Sequence, residues 1–233
     1  MPPKRQPPMP AGNPEATVMN YLYLHGFCSG PGSFKGQYLK EKFARKNLVL
    51  QTPDLNGADF TYLTLTAQLA IVEKICRENP GPWTLLGSSM GAYLAALFAE
   101  DHPEVQKVVM IAPAFQFAQR RLLEMPGNML AAWRKSGFIQ VFHHAYQEER
   151  PLHIGIIEDA GQYDRRPLAR QLPALLIHGL EDETVDYRLS IGYVAQHSQA
   201  RLILLKGDHQ LTGESHLETI WQQIQLFLNL GVD

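Results

Sequence analysis

The sequence predicts an α/β protein: about six mainly parallel strands, helices on both faces of the sheet and a small inserted cap. Three observations lead there. Short, almost wholly apolar runs alternate with longer amphipathic ones, the pattern of a parallel sheet with crossover helices. The alternation breaks once, between Pro113 and Pro173, and about sixty residues without elements of their own are improbable inside a compact domain. Finally, Gly87-Ser88-Ser89-Met90-Gly91 joins an apolar run to a helix-like one, so Ser89 falls at a strand-to-helix turn.

The strands are expected at Asn20 to His25, Leu48 to Thr52, Trp83 to Gly87, Lys107 to Ala112, Ala174 to His178 and Arg201 to Leu205. Each is nearly all apolar, as strands covered on both faces should be. Helices are expected near Ser33 to Lys46, Tyr62 to Asn79, Met90 to Asp101, Asp186 to His197 and Ser215 to Asn229. Asn47 closes the first and His102-Pro103 the third. In the insertion, Phe115 to Met125 and Asn128 to Tyr146 read as helices separated by Pro126-Gly127. His153 to Ile157 reads as a strand, and Glu158 to Gly161 as the turn it enters. Residues 115–170 are taken as the cap over the C-terminal edge of the sheet.

The 233 residues fit one domain, expected over 18–233, behind a flexible tail at 1–17 that carries five prolines before residue 11. Apolar residues make up 45% and charged residues 19%, ordinary for a globular protein. A net charge of −2 gives no electrostatic case for nucleic acid or an anionic membrane. Two cysteines, Cys28 and Cys76, are too few for a disulfide scaffold. The N-terminus has no apolar h-region, and nowhere do about 18 uncharged apolar residues run together, so a cytoplasmic protein without stable membrane insertion is expected.

Ser89 is the candidate nucleophile. A serine needs a base and an acid that orients the base, and both types follow in chain order. Asp182 ends the run Leu175 to Asp182 in the loop after a strand, with Glu181, Glu183 and Asp186 as alternatives. His209 lies in the loop after the last strand, with Gly207 to let the chain turn, and His216 is the alternative base. Attack on an acyl carbon also needs two backbone N–H groups aimed at the developing oxyanion. Met90, directly after the nucleophile, supplies one, and Phe27, in the loop after the first strand, is the best candidate for the other. His25 reads as a loop-stabilising residue and Cys28 as a small packed one.

The cap is rich in aromatic and methionine residues. Phe115, Trp133 and Phe138 are candidates to line an acyl site, with packing of the cap onto the core the competing reading. His143-His144 with His153 do not form a metal site, because adjacent histidines on a helix point apart and no further ligand stands at the right spacing. There is no Walker-type or dinucleotide-type glycine loop, so no cofactor is expected.

Taken together, Tyr23-Leu24-His25-Gly26-Phe27, Gly87-Ser88-Ser89-Met90-Gly91, His178-Gly179-Leu180-Glu181-Asp182 with Val185, and Gly207-Asp208-His209 resemble the α/β-hydrolase superfamily. More narrowly they resemble the small YqiA-like esterases and the depalmitoylating thioesterases of the ABHD type. The motifs span residues 21 to 210. The resemblance implies hydrolysis of a small-molecule carboxylic ester or thioester. A C–C or amide-bond hydrolase or an acyltransferase could use the same three side chains, and a ligand-binding protein could keep the fold without turnover.

Overall fold

The structure is a computed structural model that describes residues 18–231. The expected tail at 1–17 lies outside the described residues.

Six strands form one sheet: β1 (Asn20–Leu24), β2 (Leu50–Gln51), β3 (Trp83–Ser88), β4 (Val105–Ile111), β7 (Ala174–Gly179) and β8 (Ala200–Leu205). Two more, β5 (Phe138–His143) and β6 (Glu148–His153), lie in the insertion. The large sheet runs in the order β2-β1-β3-β4-β7-β8, and every pairing in it is parallel. Parallel neighbours need crossovers, and the helices α1 (Phe34–Arg45), α2 (Leu65–Glu78), α3 (Met90–Asp101), α7 (Arg188–Gln196) and α8 (Glu214–Leu228) are placed to provide them and the closing layer.

Side chains alternate across each strand, so a fully apolar strand feeds two cores. Leu22, Leu24, Leu85, Val108, Met110 and Leu176 share one core with Val72 of α2 and Leu94 and Leu97 of α3. Tyr21, Tyr23, Leu86, Val109, Ile111, Leu175 and Ile177 share the other with Leu39 and Phe43 of α1 and Ile220, Trp221 and Ile224 of α8. Residues 90–99 of α3 are buried all round, which accounts for an apolar sequence with no polar face. Among the described residues no helix is long and apolar enough to cross a membrane.

The insertion departs from expectation in two places. The helix expected from Asn128 to Tyr146 is α5 (Gly127–Ser136), and Gly137 ends it in the left-handed conformation with φ +78°. Beyond it Phe138-Ile139-Gln140-Val141-Phe142-His143 is strand β5, its β-branched and aromatic residues alternating between the two sides. The strand expected at His153 to Ile157 lies earlier, as β6, paired antiparallel with β5. The turn expected at Glu158 to Gly161 is part of helix α6 (Gly155–Asp164). This is a two-stranded ribbon with both edges free, so Pro151 in β6 breaks no ladder that a third strand would need.

α4 (Phe117–Glu124) and α6 tie the insertion to the core through two half-buried carboxylates. Asp164 accepts hydrogen bonds from the Tyr93 hydroxyl at 3.1 Å and the Gln119 N–H at 2.8 Å. Asp159 accepts from the Thr66 N–H at 3.0 Å and hydroxyl at 2.5 Å, at the start of α2, where free N–H groups need acceptors.

Candidate active site

Strand β1 connects to β2 on one side while β3 pairs on its other side, so strand order reverses between β1 and β3. Loops at the carboxyl ends of such a pair open a crevice. Ser89 follows β3 and Phe27 follows β1, one on each side of it.

Ser89 has φ +54° and ψ −120°, a strained conformation for a residue with a Cβ. Its N–H donates to the Ile111 carbonyl at 2.9 Å, and its carbonyl accepts from Ala92 and Ala114 at 3.1 Å each. The flanking glycines are required by space. A Cβ on Gly87 would meet the Gly91 carbonyl, and one on Gly91 would meet the carbonyls of Leu24 and His25. Backbone on both sides cannot retreat, so Gly91→Ala should lower unfolding stability by about 2–4 kcal/mol, read by chemical denaturation.

His209 Nε2 lies 3.0 Å from Ser89 Oγ, and His209 Nδ1 lies 2.7 Å from Asp182 Oδ2. The carboxylate can only accept, so Nδ1 carries the proton and Nε2 is free to accept from the serine hydroxyl. Asp182 is fully buried and its two oxygens divide the work. Oδ1 accepts from the N–H groups of Thr184 at 2.8 Å and Val185 at 2.7 Å. Oδ2 accepts from His209 and, at 3.0 Å, from Nε2 of His178. Burial alone would raise this carboxyl, but the hydrogen bonds from His178, His209 and the Val185 N–H hold it well below the ordinary carboxylate range.

Among the rivals, Asp186 accepts from the Arg188 N–H and side chain. His216 in α8 bonds the Lys206 carbonyl at 2.8 Å. His25 is buried, with Nε2 accepting from the Leu55 N–H at 3.0 Å, so it braces the loop after β1. Burial pushes the Cys28 thiol up to about 12, which leaves it inert as a nucleophile. His178 carries a role that the sequence motif did not assign: it is fully buried, bonds Ser190 Oγ at 2.8 Å through Nδ1, and steadies the carboxylate that steadies His209. The available signal was its position four residues before Asp182.

Ser89 and His209 open into a cleft of about 1250 Å³ whose walls include Phe27, Phe115, Phe117 and Val141, with Asp182 buried behind them. Among the described residues neither the Phe27 nor the Met90 backbone N–H is taken up by another hydrogen bond, and Met90 is the first residue of α3, where such N–H groups lack helical partners. An apolar chamber of about 160 Å³ shares Phe27, Phe117, Arg121 and Val141 with the cleft and is closed by Met125, Met129, Trp133, Leu152 and Ile156. Of the three expected acyl-site residues, Phe115 therefore lines the cleft and Trp133 the chamber, where its indole N–H donates to the Leu152 carbonyl at 3.1 Å. Phe138 lines neither. It sits on the outer side of the β5–β6 ribbon against Tyr62 and His153, because β5 alternates where a helix would have turned it inward.

His143 is buried against Phe60 and Tyr146, and His153 packs on Phe138. Among the described residues no group of three His, Cys, Asp or Glu is placed to hold a metal ion.

Residues 20–228 match the family described as uncharacterised protein family UPF0227. The chain belongs to that family. It is the YqiA family that the motifs resemble. Over 103 residues, 40% of this chain, it is 30% identical to monoacylglycerol lipase abhd6-B of Xenopus laevis. The chain spans less than half the length of the curated relatives it matches, 30% in the case of that lipase. Among solved structures it is similar to alpha/beta hydrolase domain-containing protein 10 from mouse, with a TM-score of 0.74, 18% identity, and 90% and 89% of the two chains covered. It is also similar to Est1E from Butyrivibrio proteoclasticus with ferulic acid bound, with a TM-score of 0.75, 19% identity, and 95% and 92% covered. At these identities the structural likeness establishes the α/β-hydrolase fold of this UPF0227 member, and its chemistry is argued from its own site.

Proposed function

We propose that this UPF0227 protein is a serine hydrolase that cleaves small carboxylic esters or thioesters through an acyl-enzyme on Ser89. The observation that supports this reading is the unbroken hydrogen-bonded line from Ser89 Oγ through His209 to buried Asp182, on a strained turn facing a cleft.

In this mechanism Ser89 Oγ attacks the carbonyl carbon as its proton passes to His209 Nε2, and Asp182 stabilises the imidazolium. The tetrahedral oxyanion is met by the N–H groups of Phe27 and Met90. Collapse breaks the bond to the alcohol or thiol, which leaves with the proton from His209. Water then gives a proton to His209 and attacks the acyl-enzyme, and the acid departs as Ser89 regains its hydrogen. With p-nitrophenyl butyrate the purified protein should release a burst of nitrophenol stoichiometric with enzyme whenever deacylation is the slower step. Turnover that persists in Ser89→Ala would sink the reading.

The apolar chamber suits the acyl group, and its volume has room for roughly five methylene-sized groups. Specificity for p-nitrophenyl esters should rise from acetate to hexanoate by up to about fourfold per methylene and then fall. Met129 is half exposed on the chamber wall, so Met129→Trp should fill the chamber from its rim and move the optimum towards acetate. A chain-length profile that is the same in both proteins would exclude the chamber as the acyl site.

A further inference from the structure

We propose that Lys35 binds a carboxylate or phosphate on the leaving group, so that the preferred substrate is an ester or thioester of an anionic alcohol or thiol. The inference rests on the reading of Ser89 and His209 given above.

Lys35 is the second residue of α1 and is only 8% exposed. Lysine is seldom buried to this degree without a counter-charge, because an unpaired ammonium removed from water is costly. Among the described residues no carboxylate lies within ion-pair distance of it. Among the described residues its ammonium bonds only the Gln210 carbonyl, whereas an ammonium has three donors. The side chain lines the same cleft as Ser89 and His209. Burial pushes the ammonium down to about 8, against the pull of Asp208 and Asp182, and an anionic ligand beside it would oppose that shift further.

The other cations of the cleft sit against different groups. Arg120 is held by Glu124 and the Thr184 carbonyl, and Arg121 lies over the rings of Phe27 and Phe117 at the mouth of the acyl chamber. Lys35 differs from both in being a buried ammonium with two of its three donors unpartnered among the described residues. Its position also fixes which half of the substrate it meets. His209 must hand its proton to the departing oxygen or sulfur, so the leaving group lies beside His209. Lys35 bonds the residue directly after His209, while neither residue lines the apolar chamber.

Three matched esters test this: O-butyrylglycolate, O-butyrylglycolamide and 2-butyryloxyethyl phosphate. They share the acyl group and bond cleaved; water converts each to butyrate and the free alcohol. A charge-assisted contact should raise kcat/KM for an anionic ester over the amide by about tenfold to a hundredfold. In Lys35→Met that ratio should fall to near one, and Lys35→Arg should restore most of it. Comparison of the two anions tells carboxylate from phosphate. Equal loss on all three esters in Lys35→Met would make the lysine a brace for the Gln210 loop and overturn the proposal, as would a wild-type protein with no preference for either anion. Calorimetric binding of the same esters to Ser89→Ala, with and without Lys35→Met, reads the contact without turnover. Anion-dependent binding lost with Lys35 would uphold the subsite even if the hydrolase reading failed, and binding indifferent to Lys35 would remove it.

Discussion

Ser89→Ala and His209→Ala should each lower kcat/KM for p-nitrophenyl butyrate by about 10⁴–10⁶-fold, and the double variant should be scarcely worse than either. The reason lies in the single line of contacts. Ser89 Oγ has one base within reach at 3.0 Å, and that base has no other acidic proton to collect in the first step. Removing either end removes the same event, so the losses do not add. Activity in the variants should settle to the level supplied by the cleft and its N–H groups alone. Independent, multiplicative losses would show that the two residues do not act as one unit. Circular dichroism and melting temperature should stay close to the parent for His209→Ala, which is partly exposed to the cleft.

The second large effect is expected at Asp182. Asp182→Asn should reduce kcat by about 10³–10⁴-fold and also lower stability, a combination that Ser89→Ala should not show. The carboxylate accepts from four donors, the Thr184 and Val185 N–H groups on one oxygen and His178 and His209 on the other. An asparagine has one acceptor oxygen and one NH₂. Whichever way the amide turns, its NH₂ meets two N–H groups, either backbone or imidazole. With the imidazoles opposed, His209 loses the proton placement that leaves Nε2 free. With the backbone opposed, the loop from Glu181 to Val185 loses its anchor. Kinetics and a urea titration on the same preparation separate the two losses, and an Asn variant of parental activity would remove Asp182 from the mechanism.

The same carboxylate sets an acid limit. Its folded-state pKa is depressed, so the unfolded chain takes up this proton first as pH falls. The stability Asp182 contributes is therefore fully present above about pH 4, the ordinary carboxylate value, and disappears as acid carries the pH down through the lower folded-state pKa.

The large sheet was readable because its inner strands are buried on both faces and therefore almost continuously apolar, as in Tyr21-Leu22-Tyr23-Leu24 and Ala174-Leu175-Leu176-Ile177. Ser89, Asp182 and His209 were readable because each stands at a strand end in a turn that glycine or loop chemistry marks. The β5–β6 ribbon was not. Its apolar residues suit either a helix face or a half-buried strand, and what separates them is Gly137, whose left-handed conformation stops α5 before Phe138. That one residue reverses where Phe138 points. His178 and Lys35 were hidden for another reason. Each takes its place from partners that chain order does not display, His178 from a carboxylate shared with His209, and Lys35 from a carbonyl 175 residues away.

The measurement that bears most directly on the central claim is covalent labelling of the whole protein by a fluorophosphonate, followed by peptide mass spectrometry. One adduct is expected, on Ser89, formed at a rate that falls steeply in His209→Ala and Asp182→Asn and absent in Ser89→Ala. An adduct on another residue, or labelling undiminished in Ser89→Ala, would contradict it.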